Sequence, residues 1–205
     1  MKNVENNGEI MEVFFKEGYS WLPMKNTTVF DIGTNIADTA IYFAKKGAKK
    51  IIALEPFPKN YEIAKNNVEI NKLSNKIDVI LAGLSDQKGH IKIDAEKKGM
   101  FALEASDNGD DVPLMTLEQL LEQYEVDSAV LKMDCENCEY TSILSASNET
   151  LQKFTHIQIE YHDGFQNIKE RLEKAGFDVS LPSAFSKNHT GDKTRYLGYL
   201  LAKLK

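Results

Sequence analysis

The stretch Thr27-Thr28-Val29-Phe30-Asp31-Ile32-Gly33-Thr34-Asn35-Ile36-Ala37-Asp38-Thr39 decides how the chain is read. An apolar run of strand length ends beside an acid, and a glycine supplies a tight turn. Ala40, Ile41, Phe43 and Ala44 then recur as the inner face of a helix. A second apolar run, Ile51-Ile52-Ala53-Leu54, follows and ends in Glu55. Open α/β sheets bind ligands beyond the carboxyl ends of their strands. A strand–turn–helix–strand unit with an acid at each strand end is therefore suited to a nucleoside-like ligand.

Outward from that unit the pattern continues. The reading places strands at 27–32, 50–54 and 77–81, and helices at about 37–46 (closed by Gly47) and from Pro58 to about 72. This β-α-β-α-β order implies parallel strands with right-handed crossovers. Residues 83–115 are less regular: 89–93 alternates like a strand and 97–111 reads as a polar loop. Thr116 caps a helix to about Tyr124, and Ala129-Val130-Leu131-Lys132-Met133 is a strand ending at Asp134. A helix at 140–146, a strand at 156–159 ending in Glu160 and a helix at 165–175 follow. Two last strands, 177–179 and 196–202, pair across a polar loop at 182–194. Residues 8–22 read as a helix. Residues 1–26 are expected to act as a helical lid on a single domain, 27–205, and no internal repeat or linker is visible.

Composition limits the function. The chain has 205 residues, 42% apolar and 27% charged, which suits one globular α/β domain. Its formal charge of -6 gives no electrostatic footprint for nucleic acid. No run approaches the ~18 apolar residues of a membrane span, and the polar start lacks a signal-peptide core, so a cytoplasmic location is expected. Cys135 and Cys138 are the only cysteines, too few for a four-cysteine zinc site. Their C-x-x-C spacing allows a redox pair. The carboxylates of Asp134, Glu136 and Glu139 around it would raise the thiol pKa, so inert thiols are expected.

The turn residues discriminate between nucleotide ligands. A dinucleotide site asks for G-x-G-x-x-G, whose middle glycine lets the backbone approach a diphosphate. Here that position is Asn35, and Asp31 beside the turn would repel phosphate. S-adenosylmethionine fits better: it carries an ammonium, a carboxylate and a sulfonium, and no phosphate. Asp31 is expected at its ammonium end, the amides of residues 34–38 at its carboxylate, and Glu55 on both ribose hydroxyls. Leu84 would flank the adenine, with Ser85 or Asp86 hydrogen-bonding it.

With these pieces in place, the chain resembles the FkbM-type family of S-adenosylmethionine-dependent methyltransferases. The resemblance rests on Phe30 to Thr39, Ala53-Leu54-Glu55-Pro56, Gly83-Leu84-Ser85, Thr116-Leu117, Leu131-Lys132-Met133-Asp134-Cys135-Glu136-Asn137-Cys138-Glu139-Tyr140 and Ile159-Glu160-Tyr161-His162. It implies a Rossmann-like, mainly parallel seven-stranded sheet with an antiparallel last strand. It also implies methyl transfer, typically to oxygen, on a small molecule or sugar. Carried onto this chain, the cofactor set is Asp31, Gly33, Thr34, Asn35, Ala37, Asp38, Thr39, Glu55, Pro56, Leu84, Ser85 and Asp134. The family usually has glycine where Ala37 and Asn137 stand. Alanine is tolerable at a negative φ, and asparagine suits a positive one.

For catalysis the candidates are His162, Asp134, Glu160 and Glu136 on one sheet edge, with His162 the first choice of base because its ordinary pKa is near neutral. The same four could instead hold a hard metal ion, which the family does not require. Competing readings are an RNA or protein methyltransferase and a non-catalytic cofactor-binding module. The Asn/Asp-Pro-Pro-aromatic motif of many amine methyltransferases is replaced here by Asp134-Cys135-Glu136-Asn137. Lys187, His189, Lys193 and Arg195 offer cations to an anionic acceptor. Oligomeric state is not legible.

Overall fold

The computed structural model describes residues 10–94, 109–182, 186–190 and 193–205, with backbone alone for 186–190 and 193–195. Most of the expected 97–111 loop, and the side chains of Lys187, His189, Lys193 and Arg195, lie outside the described residues.

The first half runs β1 (Thr28–Ile32), α1 (Asp38–Lys45), β2 (Lys50–Glu55), α2 (Pro58–Ile70) and β3 (Ile77–Leu81). Three short strands follow: β4 (Gly83–Leu84), β5 (Gly89–Ile93) and β6 (Asp110–Met115). Next come α3 (Leu117–Gln123), β7 (Ala129–Met133), α4 (Cys138–Ser145), α5 (Asn148–Gln152), β8 (Phe154–Tyr161), α6 (Gln166–Lys174), β9 (Phe177–Ser180), β10 (Ser186–Thr190) and β11 (Lys193–Leu204).

The main sheet has the order β3-β2-β1-β7-β8-β11. Its first five strands are parallel, and β11 lies antiparallel to β8. β9 completes the seven-stranded sheet by pairing antiparallel with the end of β11, and β10 forms a hairpin with the start of β11. Alternate residues of the central strands feed two cores. Val29, Ile51 and Val130 pack on the α1 side, while Phe30, Ile52 and Leu131 pack on the side of α4 and α6. Burial on both faces explains why these strands read as unbroken apolar runs.

Three expectations change. The helix read over 8–22 is a single π-helical turn, Met11–Phe15. Glu17 adopts φ 51 and Gly18 follows, which ends the helix; the chain then runs on through turns, and Val13, Tyr19, Leu22 and Met24 pack into the α1-side core. Within 83–115, β4, β6 and β5 form a small second sheet in that order. Pro113 disguises β6, but it pairs only with β5, because β4 reaches no further than Leu114 and Met115. The polar stretch 182–194 contains β10 rather than only a loop.

Candidate active site

The parallel strands β1, β2, β7 and β8 end together. Ile32 is level with Leu54 and Met133, and Met133 with Ile159. The β1–α1 turn is locked beneath that edge. Gly33 sits at φ +75, and a Cβ there would lie 1.9 Å from the Asp134 carbonyl oxygen, so only glycine lets the two turns approach. The amides of Gly33 and Thr34 both donate to the Leu54 carbonyl, and the Asn35 amide donates to Glu55 Oε2 at 2.9 Å.

Asp31 is fully buried. Its Oδ2 accepts from Thr34 Oγ1 (2.7 Å) and Thr39 Oγ1 (2.6 Å), and its Oδ1 pairs with Lys132 Nζ at 3.1 Å. Lys132 also donates to the Gly33 carbonyl at 2.9 Å. Burial acts to lower the Lys132 pKa, but the Asp31 and Asp134 charges outweigh it and hold the pKa above the ordinary lysine value. A lysine and an aspartate thus form a desolvated pair under the turn.

Above this floor lies a cavity of about 460 Å³. Glu55, 3% exposed, stands in its wall. Its Oε1 accepts from the Phe57 amide (3.0 Å) and from Asn60 Nδ2 (3.5 Å). Burial pushes its pKa up to about 8, against the pull of these donors. Leu84, Phe57 and Pro56 add an apolar wall beside it, while Glu12, Val13 and Tyr19 close the cavity from the N-terminal segment.

At the other end the cavity reaches β8 and β11. His162 Nδ1 lies 2.9 Å from Glu139 Oε1, and its Nε2 lies 3.4 Å from Glu136 and 3.7 Å from Asp134. Burial would lower the His162 pKa, yet the hydrogen bond to Glu139 and the charges of Glu139, Glu136 and Asp134 prevail and raise it to about 9. The ring is an imidazolium at neutral pH, which removes the reason for choosing it as the base. Glu160 takes the opposite course. Burial and the nearby Asp134 raise it to about 7, while His162 and a hydrogen bond from the Tyr199 hydroxyl pull it down. Burial and the Glu160 charge hold the Tyr199 hydroxyl itself well above its ordinary range, so it stays a donor.

Of the residues singled out from sequence, Gly33, Asn35, Asp38, Thr39, Glu55, Pro56, Leu84, Asp134, Glu136, Glu160 and His162 line this one cavity. Four do not. Asp31 and Thr34 brace the turn from below, so the expected pair of open carboxylates becomes one exposed to the cavity, Glu55, and one neutralised by Lys132. Ala37 is buried with φ 64, outside the negative range in which alanine replaces glycine without strain. Ser85 donates its hydroxyl to Asp86, away from the cavity. The amides expected to receive the ligand's carboxylate are also largely committed, since those of 34, 35 and 37 bond within the protein.

Lys132, Tyr19 and Tyr199 also line the cavity, and Glu139 holds His162 from behind it, none of them given a site role by the sequence motifs above. Lys132 carried a usable signal, as the single charge within the apolar strand β7.

Cys135 and Cys138 form a disulfide, with 2.01 Å between the sulfurs, so the expectation of inert free thiols is corrected. Among the described residues the one trio of ligand-bearing side chains close enough to share an ion is Cys135, Cys138 and Glu139. The four residues considered for a hard metal do not converge in that way.

Residues 31–179 match the methyltransferase FkbM domain. A ribosomal protein L11 methyltransferase from Alkaliphilus oremlandii is 44% identical over 62 residues, covering 30% of this chain and 20% of its own. The methyltransferase sdnD of Sordaria araneosa is 23% identical over 194 residues, covering 76% of this chain and 75% of its own. Among solved structures, the methyltransferase FkbM from Methylobacillus flagellatus superposes with a TM-score of 0.61 at 14% identity. That match takes in 94% of this chain and 47% of the other, so the chain spans about half of that protein and one fifth of the L11 enzyme.

Proposed function

The chain belongs to the FkbM methyltransferase family, and we propose that it uses S-adenosylmethionine to methylate a hydroxyl oxygen on a small molecule or sugar. One observation carries the reading. A single cavity runs from a buried ribose-type acceptor, Glu55, to a Glu160–Tyr199 pair that can take a proton. The lining charges fit such a cofactor. Carboxylates of Glu12, Asp38, Asp134, Glu136 and Glu160 surround two cations, Lys132 and His162, while Glu55, with its pKa pushed up to about 8, adds a largely neutral acceptor. That balance suits an ammonium and a sulfonium and opposes a dinucleotide's diphosphate or an RNA backbone.

S-adenosylmethionine supplies an electrophilic methyl group on a sulfonium, a good leaving group. Glu55 accepts the ribose hydroxyls, with its orientation set by the Asn35 and Phe57 amides. Leu84, Phe57 and Pro56 offer the adenine an apolar wall. Residues 10–26 act as a lid, with Tyr19 shielding the Lys132 floor from water.

Glu160 takes the acceptor's hydroxyl proton as the oxygen gains its methyl group. A pKa of about 7 leaves a large share of Glu160 ionised at neutral pH and still basic. His162, held cationic, fixes Asp134 and Glu136 and so positions the acceptor without removing its proton.

Calorimetry with S-adenosylmethionine and S-adenosylhomocysteine, followed by methyl transfer onto a panel of hydroxyl acceptors, tests the reading. Binding should be at least tenfold weaker in Glu55→Ala. Glu160→Gln should bind the cofactor normally and lose about 10²–10⁴-fold in turnover, the usual contribution of a general base. Absence of cofactor binding by the intact protein removes the proposal. Binding without transfer to any acceptor favours a non-catalytic module.

A further inference from the structure

The disulfide belongs to the cavity wall, since both Cys135 and Cys138 line the cavity. It closes a four-residue ring between the end of β7 and the first residue of α4. Inside that ring Glu136 (φ 55) and Asn137 (φ 96) are both left-handed, a region that non-glycine residues avoid. The ring also presents the groups that surround His162. Glu136 approaches Nε2, and the Asn137 amide donates to Glu139 Oε2 at 2.9 Å. The other oxygen of Glu139 holds Nδ1.

Cys135 Sγ lies 3.3 Å from Glu139 Oε2. As half of a disulfide that sulfur has no proton to donate. As a thiol it has one, and the nearest acceptor is the carboxylate that orients His162. Reduction therefore does two things at once. It frees two left-handed residues to relax, and it adds a donor to the Glu139 oxygen that the Asn137 amide holds, on the same carboxylate that orients His162.

We propose that Cys135–Cys138 is a reversible thiol–disulfide site that takes a small dithiol or a protein dithiol as its substrate, and that its oxidised form holds the His162 cluster in working order. One thiolate of the reductant attacks a cysteine sulfur, the S–S bond breaks, and a mixed disulfide forms. The reductant's second thiolate then displaces the protein sulfur. Two electrons and two protons reach the protein, and the reductant leaves as its own disulfide. The carboxylates of Asp134, Glu136 and Glu139 disfavour thiolates in the reduced pair, so the oxidised form is the resting one in the absence of a strong reductant. The effect on turnover rests on the methyltransferase reading; the exchange itself and its effect on His162 do not.

The experiment compares the protein oxidised by cystamine with the protein reduced by dithiothreitol, both folded. Alkylation and mass spectrometry should find no free thiol in the first and two in the second. The imidazole NMR signals of His162, identified from their absence in His162→Gln, should shift between the two forms. Turnover should fall about tenfold on reduction, a modest misplacement by the scale of active-site geometry, and return on reoxidation. The Cys135→Ser/Cys138→Ser variant should match the reduced form and ignore both reagents. The inference is overturned by persistent free thiols in the oxidised sample, by thiols released only on unfolding, or by His162 signals that do not respond. If His162 responds while neither form transfers methyl groups, the redox site stands and the methyltransferase reading fails.

Discussion

Two strand–turn–helix junctions meet at the cavity, and they are held by different means. In the first, β1 turns into α1 over residues 33–37; in the second, β7 turns into α4 over 134–137. Both helices start from a left-handed residue that gives no side-chain cap, Ala37 at φ 64 and Asn137 at φ 96. The turns touch where Gly33 lies against Asp134. The first is held from below by a buried ion pair and threonine hydroxyls, the second by a covalent bond across its own ring.

The largest expected effect comes from breaking the first device. Lys132→Met leaves Asp31 as a buried, unpaired carboxylate. Losing one partner of such a pair costs about 3–5 kcal/mol, so urea unfolding should move by that amount and cofactor binding should go with it. Gly33→Ala comes next. The new Cβ overlaps a backbone oxygen at a positive φ, and about 3 kcal/mol is expected from overpacking and backbone strain together. Because the clash is with Asp134, this variant should disturb both junctions, and the His162 NMR signals should move along with cofactor affinity.

A pH series separates the two. Glu55 braces the first junction through Asn35, and His162 anchors the second through Glu139. Both pKa values are raised on folding, Glu55 from 4.5 to about 8 and His162 from 6.5 to about 9. A group with a raised folded pKa stabilises fully below its unfolded pKa, and that stability is lost as pH rises through the folded value. Unfolding free energy should therefore fall with rising pH, from about 4.5 through Glu55 and Glu160, and between about 6.5 and about 9 through His162. The His162 share is ~3 kcal/mol by linkage. His162→Gln should flatten the curve above pH 8, measured by denaturant midpoints at each pH.

Legibility in the sequence follows the same division. The parallel half is legible because strands buried on both faces leave unbroken apolar runs, as in Ile51 to Leu54, and the buried helix between them adds the apolar stretch Ala40 to Ala44. Glu55 follows the strand-end rule and lines the cavity. Asp31 satisfies the same rule and yet lies beneath the cavity. Its partner Lys132 is remote in sequence, and no local pattern shows that the two lie on neighbouring strands. His162 lies on the cavity, but its raised pKa is not legible locally, because the three carboxylates that raise it come from a turn and a helix start brought to it only by folding. The N-terminal segment was misread because its apolar residues contact a site instead of forming one helical stripe. Phe15 stays 72% exposed while Val13 is buried.

The smallest expected effect is also the most direct measure of how the junctions differ. Ala37 and Asn137 occupy the same role and the same region of φ, but alanine has no side chain able to bond locally there, whereas asparagine is enriched at such positions. Replacing Ala37 by glycine removes a left-handed penalty of about 1–2 kcal/mol, offset in part by the greater freedom of glycine in the unfolded chain. A net gain of about 1 kcal/mol is expected, with cofactor affinity unchanged. Asn137→Gly should gain only a few tenths in the oxidised protein, because asparagine carries less strain to relieve and the disulfide ring already limits the turn. In reduced protein the two substitutions should diverge. The Ala37→Gly gain should persist, since nothing at that junction depends on the cysteines. Asn137→Gly should partly restore turnover, because glycine keeps the left-handed conformation that reduction lets asparagine leave. Equal responses of the two variants to reduction would mean that the covalent ring does not hold the second turn, and the contrast between the junctions would lose its physical basis.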